Sequence, residues 1–139
     1  MYDVILVATD GSDPANRAIT AALEHAERFG ATLHAVYVVD IDRYVEPLLS
    51  DADVAKREVE AWGSERLEEV TEQGRSLGVE VVTRCCHGKP SKEIINYADA
   101  IDADLVVIGY QGYAHADTDH IGSVADRVVR NAGRSVLIA

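Results

Sequence analysis

The chain has 139 residues, 47% of them hydrophobic, and carries a formal net charge of −11 at pH 7. A chain of this size and composition can bury one sizeable core, so we expect a single domain that spans residues 1–139. The acidic balance argues against a duplex nucleic acid or an anionic membrane as partner, because both require a basic protein surface.

Short apolar runs alternate with amphipathic segments along the chain, and this pattern predicts a parallel sheet covered by helices. Five runs are predicted as strands, at residues 3–9, 32–39, 80–86, 105–109 and 135–139. The second run and the last two are apolar at nearly every position, which is typical of strands buried on both faces.

Four helices are predicted between these strands, at about residues 14–29, 53–77, 90–101 and from 122 onward. In the first, Asp13 is the predicted N-cap, Pro14 the first helical residue and Gly30 the C-terminal stop. Helical spacing predicts an inward face made of Ile19, Ala22, Leu23, Ala26, Phe29, Val59, Trp62, Leu67, Val70, Leu77, Ile94, Ile95, Ala98, Ile101, Val124, Val128 and Val129. The least regular segments are residues 40–52 and 110–121.

The two cysteines, Cys85 and Cys86, are neighbours on the third predicted strand. Adjacent strand residues point to opposite faces, so a disulfide between them is strained, and free thiols fit a reducing compartment. We expect buried structural thiols, with redox sensing as the alternative. The sequence also lacks a signal-peptide pattern and an apolar run of about 20 residues, which predicts a cytoplasmic protein without membrane insertion.

The acidic surface has a second implication. The chain has 13 basic residues, of which only Lys56, Lys89 and Lys92 are lysines. This composition is similar to that of proteins from a salt-rich cytoplasm, so we hypothesise adaptation to high salt.

Two loops are predicted to lie where a ligand binds. In sheets built from right-handed strand–helix–strand units, ligands bind beyond the carboxyl ends of the strands, where the strand order reverses. One such loop, residues 10–13, follows the first strand, and the other, residues 109–122, follows the fourth.

The strongest functional signal is Gly109 and Gly112, followed after nine residues by Gly122 and Ser123. Glycine at the end of a strand allows backbone amides to approach phosphate oxygens, because no Cβ is in the way. The second pair stands where a helix is predicted to begin, and the unpaired amides and the dipole of a helix start favour an anion. The pattern is typical of a polyphosphate site, and turn or capping glycines around an irregular loop are the alternative.

The spacing Gly-x2-Gly-x9-Gly-Ser resembles the nucleotide-binding pattern of the universal stress protein family. Residues 4–12, 33–40, 103–109 and 122–128 also resemble the family's first strand and loop, its second strand and its closing half. The resemblance implies a single-domain α/β fold of Rossmann-like, adenine nucleotide alpha hydrolase-like type. Its five parallel strands have the order 3-2-1-4-5, with helices on both faces of the sheet.

The same resemblance implies an adenine nucleotide as ligand, namely ATP with Mg²⁺ or Mn²⁺. In the family's ATP-binding members the residue that matches Asp10 lies near the ribose and the metal, and the backbone that matches Val38 lies beside adenine. The implied nucleotide-binding residues are Ala8, Thr9, Asp10, Val38, Gly109, Gly112, Gly122, Ser123 and Val124. From the residues alone, Asp10 fits equally a cap of the turn after the first strand.

The loop between Tyr113 and Ile121 departs from the family pattern, because it has no Lys or Arg and carries Asp117 and Asp119. Two carboxylates near a triphosphate repel it by roughly 1–4 kcal/mol at a surface-like dielectric. A bridging divalent cation, an outward-facing loop or high salt removes this repulsion, and weak binding or a smaller ligand are the alternatives. The same loop contains His115 and His120. We interpret these histidines and the two aspartates as parts of a solvated polar loop rather than as a transition-metal site.

These features favour a stress-response module that binds ATP and acts through that binding rather than through catalysis. No general base or arginine finger for hydrolysis is evident, so no catalytic residue is assigned. A slow metal-dependent ATPase that uses Asp10 or Asp117 is one alternative, and a non-nucleotide interaction protein with a vestigial glycine loop is another. A receiver domain, a P-loop nucleotidase and a flavodoxin each require residues that this sequence lacks.

The last predicted strand begins at Ser135, ends at Ala139 and is apolar without proline. Such a strand at the edge of a sheet invites pairing with another chain. Because homodimers of the family form through this strand, the resemblance implies a homodimer; the sequence does not indicate a protein partner.

Overall fold

The computed structural model describes residues 2–40, 49–112 and 120–139, and the side chains among them except those of residues 49–53. In these residues five strands alternate with four helices. Their bounds are β1 (Val4–Ala8), α1 (Asp13–Phe29), β2 (Thr32–Asp40), α2 (Leu49–Leu77), β3 (Val81–Gly88), α3 (Pro90–Ile101), β4 (Leu105–Ile108), α4 (Ser123–Asn131) and β5 (Ser135–Ile138).

The strands form one parallel sheet with the order β3-β2-β1-β4-β5. The predicted fold class and strand order are therefore confirmed. β1 pairs with β2 on one side and with β4 on the other, so the strand order reverses at β1. The register pairs Ala8, the last residue of β1, with Val36, and β2 continues past this point to Asp40.

Two apolar layers cover the sheet, with α1 and α2 on one face and α3 and α4 on the other. β1 alternates between them: Ile5 and Val7 pack in the α1/α2 layer and Leu6 in the α3/α4 layer, and all three are 0% exposed. This alternation follows from the two-residue period of a strand and makes β1 the centre of the core. No helix in the described part of the chain is long and apolar enough to cross a membrane.

The start of α1 differs from the prediction, because Ser12 and not Asp13 is the N-cap. Ser12 has extended backbone angles, and its Oγ accepts a hydrogen bond from the amide of Ala15 at 3.3 Å. Asp10 fixes this geometry, because its Oδ1 accepts a hydrogen bond from the amide of Ser12 at 2.9 Å. Asp13 is the first helical residue, which places Pro14 second, and Gly30 ends the helix as predicted, with a φ of 66°.

Three residues that helical spacing placed inward are instead exposed, namely Phe29 (38%), Leu77 (40%) and Val129 (45%). Each lies in the last turn of its helix. The ring of Phe29 packs edge-on against Tyr2, with 5.3 Å between ring centroids.

The start of one helix and the burial of one strand also differ from the prediction. α2 begins at Leu49 rather than near residue 53, while residues 41–48 lie outside the described part of the chain. β5 is half-buried rather than buried on both faces, because it is an edge strand.

The adjacent cysteines point to opposite faces of β3, as predicted. Cys85 packs against the α1/α2 layer and Cys86 against the α3/α4 layer, and both are free thiols. They are half-buried, and this burial is the main cause that raises the pKa of each thiol. A raised pKa lowers the thiolate fraction at neutral pH, which favours the structural interpretation over redox sensing.

Candidate functional site

A cavity of about 410 Å³ opens at the carboxyl edge of the sheet, where β1 lies between β2 and β4. The residues that line it come from the ends of these strands, from all four helices and from the loops after β1 and β4. The nine residues predicted to bind nucleotide all line this cavity, namely Ala8, Thr9, Asp10, Val38, Gly109, Gly112, Gly122, Ser123 and Val124. The fold therefore brings both loops singled out from the sequence into one cleft.

Asp10 caps the turn after β1 and also faces the cavity. Its Oδ1 accepts a hydrogen bond from the amide of Ser12 at 2.9 Å, while Oγ1 of Thr9 accepts one from the amide of Gly11 at 3.1 Å. A Cβ at Gly112 would overlap Oδ2 of Asp10, so the absence of a side chain there lets the carboxylate meet the loop after β4. The structural and the functional interpretation of Asp10 are thus compatible.

The three glycines of the motif provide space for close contacts, with backbone at Gly109 and Gly122 and with the Asp10 carboxylate at Gly112, and none of them has a positive φ. A Cβ at Gly109 would lie 2.7 Å from the carbonyl carbon of Pro14 and 2.9 Å from the amide nitrogen of Ala15. A Cβ at Gly122 would lie 3.2 Å from Cα of Gln111. Gly109 is therefore required for packing of β4 against the start of α1, a reason that differs from the phosphate approach inferred from its position.

No N-cap side chain accepts a hydrogen bond from the backbone amides at the start of α4. Its N-cap is Gly122, which has extended backbone angles and no side chain to accept a hydrogen bond. The amide of Gly122 itself donates to the carbonyl of Tyr110 at 2.9 Å, so this amide is used inside the protein. The amides of Val124 and Ala125 follow in the first turn, where a helix offers no acceptor, and both residues line the cavity.

The loop that joins β4 to α4 is held at both of its described ends. The amide of Tyr110 donates to the carbonyl of Ala139 at 2.8 Å, and Nε2 of Gln111 donates to the carbonyl of His120 at 2.6 Å. The positions of His115, Asp117 and Asp119, on which the predictions for this loop depend, lie outside the described residues.

The end of β2 presents backbone groups to the same cavity. The carbonyl of Val36 accepts a hydrogen bond from the amide of Thr9 at 3.0 Å, so the backbone groups of Val36 face β1. Alternate residues of a strand direct their backbone groups to the same side, and Val38 therefore faces the β1 side as well. Because β1 ends at Ala8, opposite Val36, the backbone of Val38 faces the cleft beyond the end of β1.

Other cavity-lining residues were not identified from the sequence as site residues, among them Tyr37, Asp40, Val59, Trp62 and Gln111. Asp40 ends β2, so the rule that ligands bind beyond the carboxyl ends of strands was a signal for it. Helical spacing predicted Val59 and Trp62 only as core residues. Nothing in that spacing indicates which turn of α2 lies beside the end of the sheet.

The described lining of the cavity carries the acidic side chains of Asp10 and Asp40 and no Lys or Arg. In the described residues no group of three or more His, Cys, Asp or Glu side chains is arranged to hold a metal ion. Mg²⁺ binds characteristically through one or two carboxylates, with phosphates and water as its other ligands. The two carboxylates in the lining therefore fit a metal ion that enters bound to a phosphate ligand.

The sequence profile of the universal stress protein family matches residues 1–139. The chain belongs to the universal stress protein family. A universal stress protein of Methanocaldococcus jannaschii is 34% identical over 139 residues, which cover 99% of this chain and 82% of that protein.

Solved structures of universal stress proteins share the fold. UspA from Lactobacillus plantarum superposes with a TM-score of 0.91 at 29% identity, over 99% of this chain and 97% of that one. A universal stress protein solved in complex with cAMP has a TM-score of 0.68 at 25% identity, over 99% of this chain and 96% of that one. The predicted family and fold are thus confirmed, and adenine nucleotide binding is established for a similar protein.

Proposed function

We propose that residues 1–139 form one domain that binds ATP with Mg²⁺ or Mn²⁺ in the cleft at the carboxyl edge of the sheet. The observation that carries the proposal is the position of two complementary groups of backbone atoms at one cavity. The uncapped start of α4 lies beyond β4, and the outward backbone of Val38 lies beyond β1 on β2. The first suits an anion and the second suits the hydrogen-bonding edge of a base.

The spacing of these groups fits a nucleotide. β2 and β4 flank β1 on opposite sides, so their ends are separated by two interstrand spacings, about 10 Å. A base at Val38 and phosphates at the start of α4 would thus place the sugar between them, beside Asp10. All of these residues line the same cavity.

Asp10 would hold the metal ion through its carboxylate. A divalent cation bound to ATP phosphates shields them from the carboxylates in the cleft, which offsets the repulsion that Asp10 and Asp40 would otherwise cause. The chain's own contribution is to orient this carboxylate, through the amide of Ser12 that donates to Oδ1.

We propose that the protein acts as a cytoplasmic binding module, in which bound ATP changes the surface that a partner meets around the segment 110–121, of which residues 113–119 lie outside the described part of the chain. The hydrogen bonds from Gly122 to Tyr110 and from Gln111 to His120 hold the two ends of this segment close together. A ligand at the start of α4 would therefore contact the place where the segment enters the helix.

Calorimetric titration of ATP, with and without Mg²⁺ and at moderate and high salt, tests the proposal. We expect binding that strengthens with Mg²⁺, and roughly tenfold weaker binding of Mg²⁺–ATP to Asp10→Asn. Asparagine retains an oxygen for the hydrogen bond from Ser12, so this variant removes charge with little change in the turn. Asp13→Asn, a nearby exposed aspartate that does not line the cavity, is the matched control. Absence of heat under every condition would contradict the proposal, and phosphate release lost in Asp10→Asn would indicate an ATPase.

A further inference from the structure

We propose that Trp62 contacts the base of the bound nucleotide and thereby restricts the ligand to one that carries a planar base. This inference rests on the nucleotide-binding function proposed above and adds a residue from α2 to a site otherwise built from strand ends and loops. Trp62 lines the cavity together with Val59, one turn earlier on α2, and with Tyr37 and Val38 at the end of β2. The side chains of Trp62, Val59 and Tyr37 pack in the α1/α2 layer, whereas that of Val38 packs in the α3/α4 layer on the other face of the sheet. The backbone of Val38, which faces the cleft, lies in the sheet between these two layers.

Two glycines allow the aromatic wall to form. A Cβ at Gly11 would lie 2.6 Å from Cζ3 and 2.8 Å from Cζ2 of Trp62, so the indole lies directly against the loop after β1. A Cβ at Gly63 would lie 2.8 Å from Cε1 of Tyr37, so Tyr37 packs directly against the backbone of α2. Side chains at these two positions would push both rings out of place.

Neighbouring side chains hold the indole in a fixed orientation. The rings of Trp62 and Tyr37 meet edge to face, with 5.9 Å between centroids and an angle of 64°. The guanidinium of Arg66, one turn later on α2, lies 4.7 Å from the ring centroid of Trp62, and its Nη2 is 2.9 Å from Oε1 of Glu69. An aromatic ring that is already ordered loses little conformational entropy when a ligand packs against it.

The two ends of the cavity differ in chemistry, and this difference explains why an aromatic residue suits the end beside β2. The start of α4 offers amides and suits phosphate, whereas the end of β2 and the facing turn of α2 offer apolar and aromatic surface. Planar bases gain binding energy by stacking on aromatic rings, whereas an inorganic phosphate has no planar face to stack. Trp62 therefore discriminates a nucleotide from a phosphate compound that lacks a base.

The chain contains one tryptophan, so its fluorescence emission reports on Trp62 alone. The unmodified protein is titrated with ATP and Mg²⁺, and with inorganic triphosphate and Mg²⁺ as the ligand without a base. We expect ATP to quench the emission with the dissociation constant measured by calorimetry, and triphosphate to leave it unchanged. Unchanged emission while calorimetry detects ATP binding, or equal quenching by triphosphate, would overturn the inference and leave the proposed function intact. Absence of calorimetric binding would overturn the proposed function and the inference with it.

Substitutions provide a second measurement. Trp62→Leu is expected to weaken ATP binding roughly ten- to a hundredfold, and Trp62→Phe to retain most of the affinity. Phe29→Leu removes an aromatic ring at the far end of α1 and is the matched control, with affinity unchanged. Circular dichroism verifies that each variant is folded. Equal affinity of folded Trp62→Leu and the unmodified protein would overturn the inference, and if Trp62→Leu does not fold, the fluorescence titration decides it.

Discussion

At the scale of single residues, Asp104 connects the loop before β4 to the start of β1. Its Oδ2 accepts hydrogen bonds from the amides of Asp3 at 2.8 Å and Val4 at 2.9 Å. The bond from Val4, followed by that from Asp3, lowers the pKa of the Asp104 carboxyl below its ordinary value. A carboxyl with a lowered pKa in the folded state stabilises the protein above its unfolded pKa, and this stabilisation is lost as pH falls through the folded pKa.

Asp104→Asn is therefore expected to reduce the free energy of unfolding by about 1 kcal/mol at neutral pH, because charge-assisted hydrogen bonds become neutral ones. The difference in the free energy of unfolding between Asp104→Asn and the unmodified protein should begin to shrink below about pH 5. It should vanish once the Asp104 carboxyl is protonated in both the folded and the unfolded state. Urea denaturation at a series of pH values measures this difference. A difference in the free energy of unfolding that stays constant down to about pH 2 would contradict a stabilising role of the ionised Asp104 carboxylate.

At the scale of secondary-structure elements, Arg134 joins the end of α3 to the turn between α4 and β5. Its Nη1 donates to the carbonyls of Ala98 at 2.9 Å and Ala103 at 2.8 Å, and its Nη2 to Oδ1 of Asp99 at 2.6 Å. The side chain is 17% exposed, so the two carbonyls are largely shielded from water. One guanidinium thus adds charged donors to the carbonyl of Ala103 and to that of Ala98, which also accepts from the amide of Ala103 at 2.9 Å.

Arg134→Ala is expected to lower the free energy of unfolding by roughly 2–3 kcal/mol, because the carbonyl of Ala103 loses its charged donor and that of Ala98 loses one of its donors. Arg134→Lys should recover only part of this loss, since an ammonium cannot reproduce the planar fork. Arg130→Ala is the matched control, because Arg130 is 73% exposed and pairs with Asp126 along α4. Its expected cost is below about 0.5 kcal/mol. Equal losses for Arg134→Ala and Arg130→Ala in urea denaturation would contradict this role.

At the scale of the whole molecule, β5 forms one edge of the sheet and offers a surface for a second copy of the chain. The amide of Ala139 donates to the carbonyl of Ile108 at 3.0 Å, and its carbonyl accepts from Tyr110, so Ala139 faces β4. By alternation Leu137 faces β4 as well, and the backbone groups of Val136 and Ile138 face away from the sheet. These outward groups are those that a partner strand would pair with.

We predict a homodimer through residues 135–139, with a dimeric mass in size-exclusion chromatography coupled to light scattering. Val136→Pro removes one outward amide without removing a hydrogen bond to β4, and is expected to shift the mass toward the monomer. Val129→Ser, which removes an exposed apolar side chain from α4, is the control and should remain dimeric. A monomeric mass for the unmodified protein would contradict the prediction.

The net charge of −11 is also a property of the whole molecule. Repulsion among like charges destabilises a compact state, and salt screens it. We expect the free energy of unfolding to increase between low and molar salt in urea denaturation. Equal stability at both salt concentrations would count against adaptation to high salt.

Local sequence patterns predict the strands and helices and nine of the residues that line the cleft. The pattern of apolar residues predicts the strands and helices because it records which face of each element is buried, and a helix stop such as Gly30 is a local property. The glycine spacing and the resemblance that it carries identified nine residues that the fold brings to one cavity. These features are encoded over short stretches of chain, and for that reason they can be predicted without coordinates.

How those residues are used depends on contacts that local patterns do not specify. Ser12 rather than Asp13 caps α1 because Asp10 positions its amide, and the amide of Gly122 is taken by Tyr110. Trp62 belongs to the cleft because its turn of α2 meets the loop after β1 at Gly11. The cap at Ser12 depends on a hydrogen bond to a residue two positions away, whereas the contacts of Gly122 and Trp62 depend on which segments meet at the carboxyl edge of the sheet. Periodicity determines the face that a residue occupies, whereas its contacts are determined by where the elements cross.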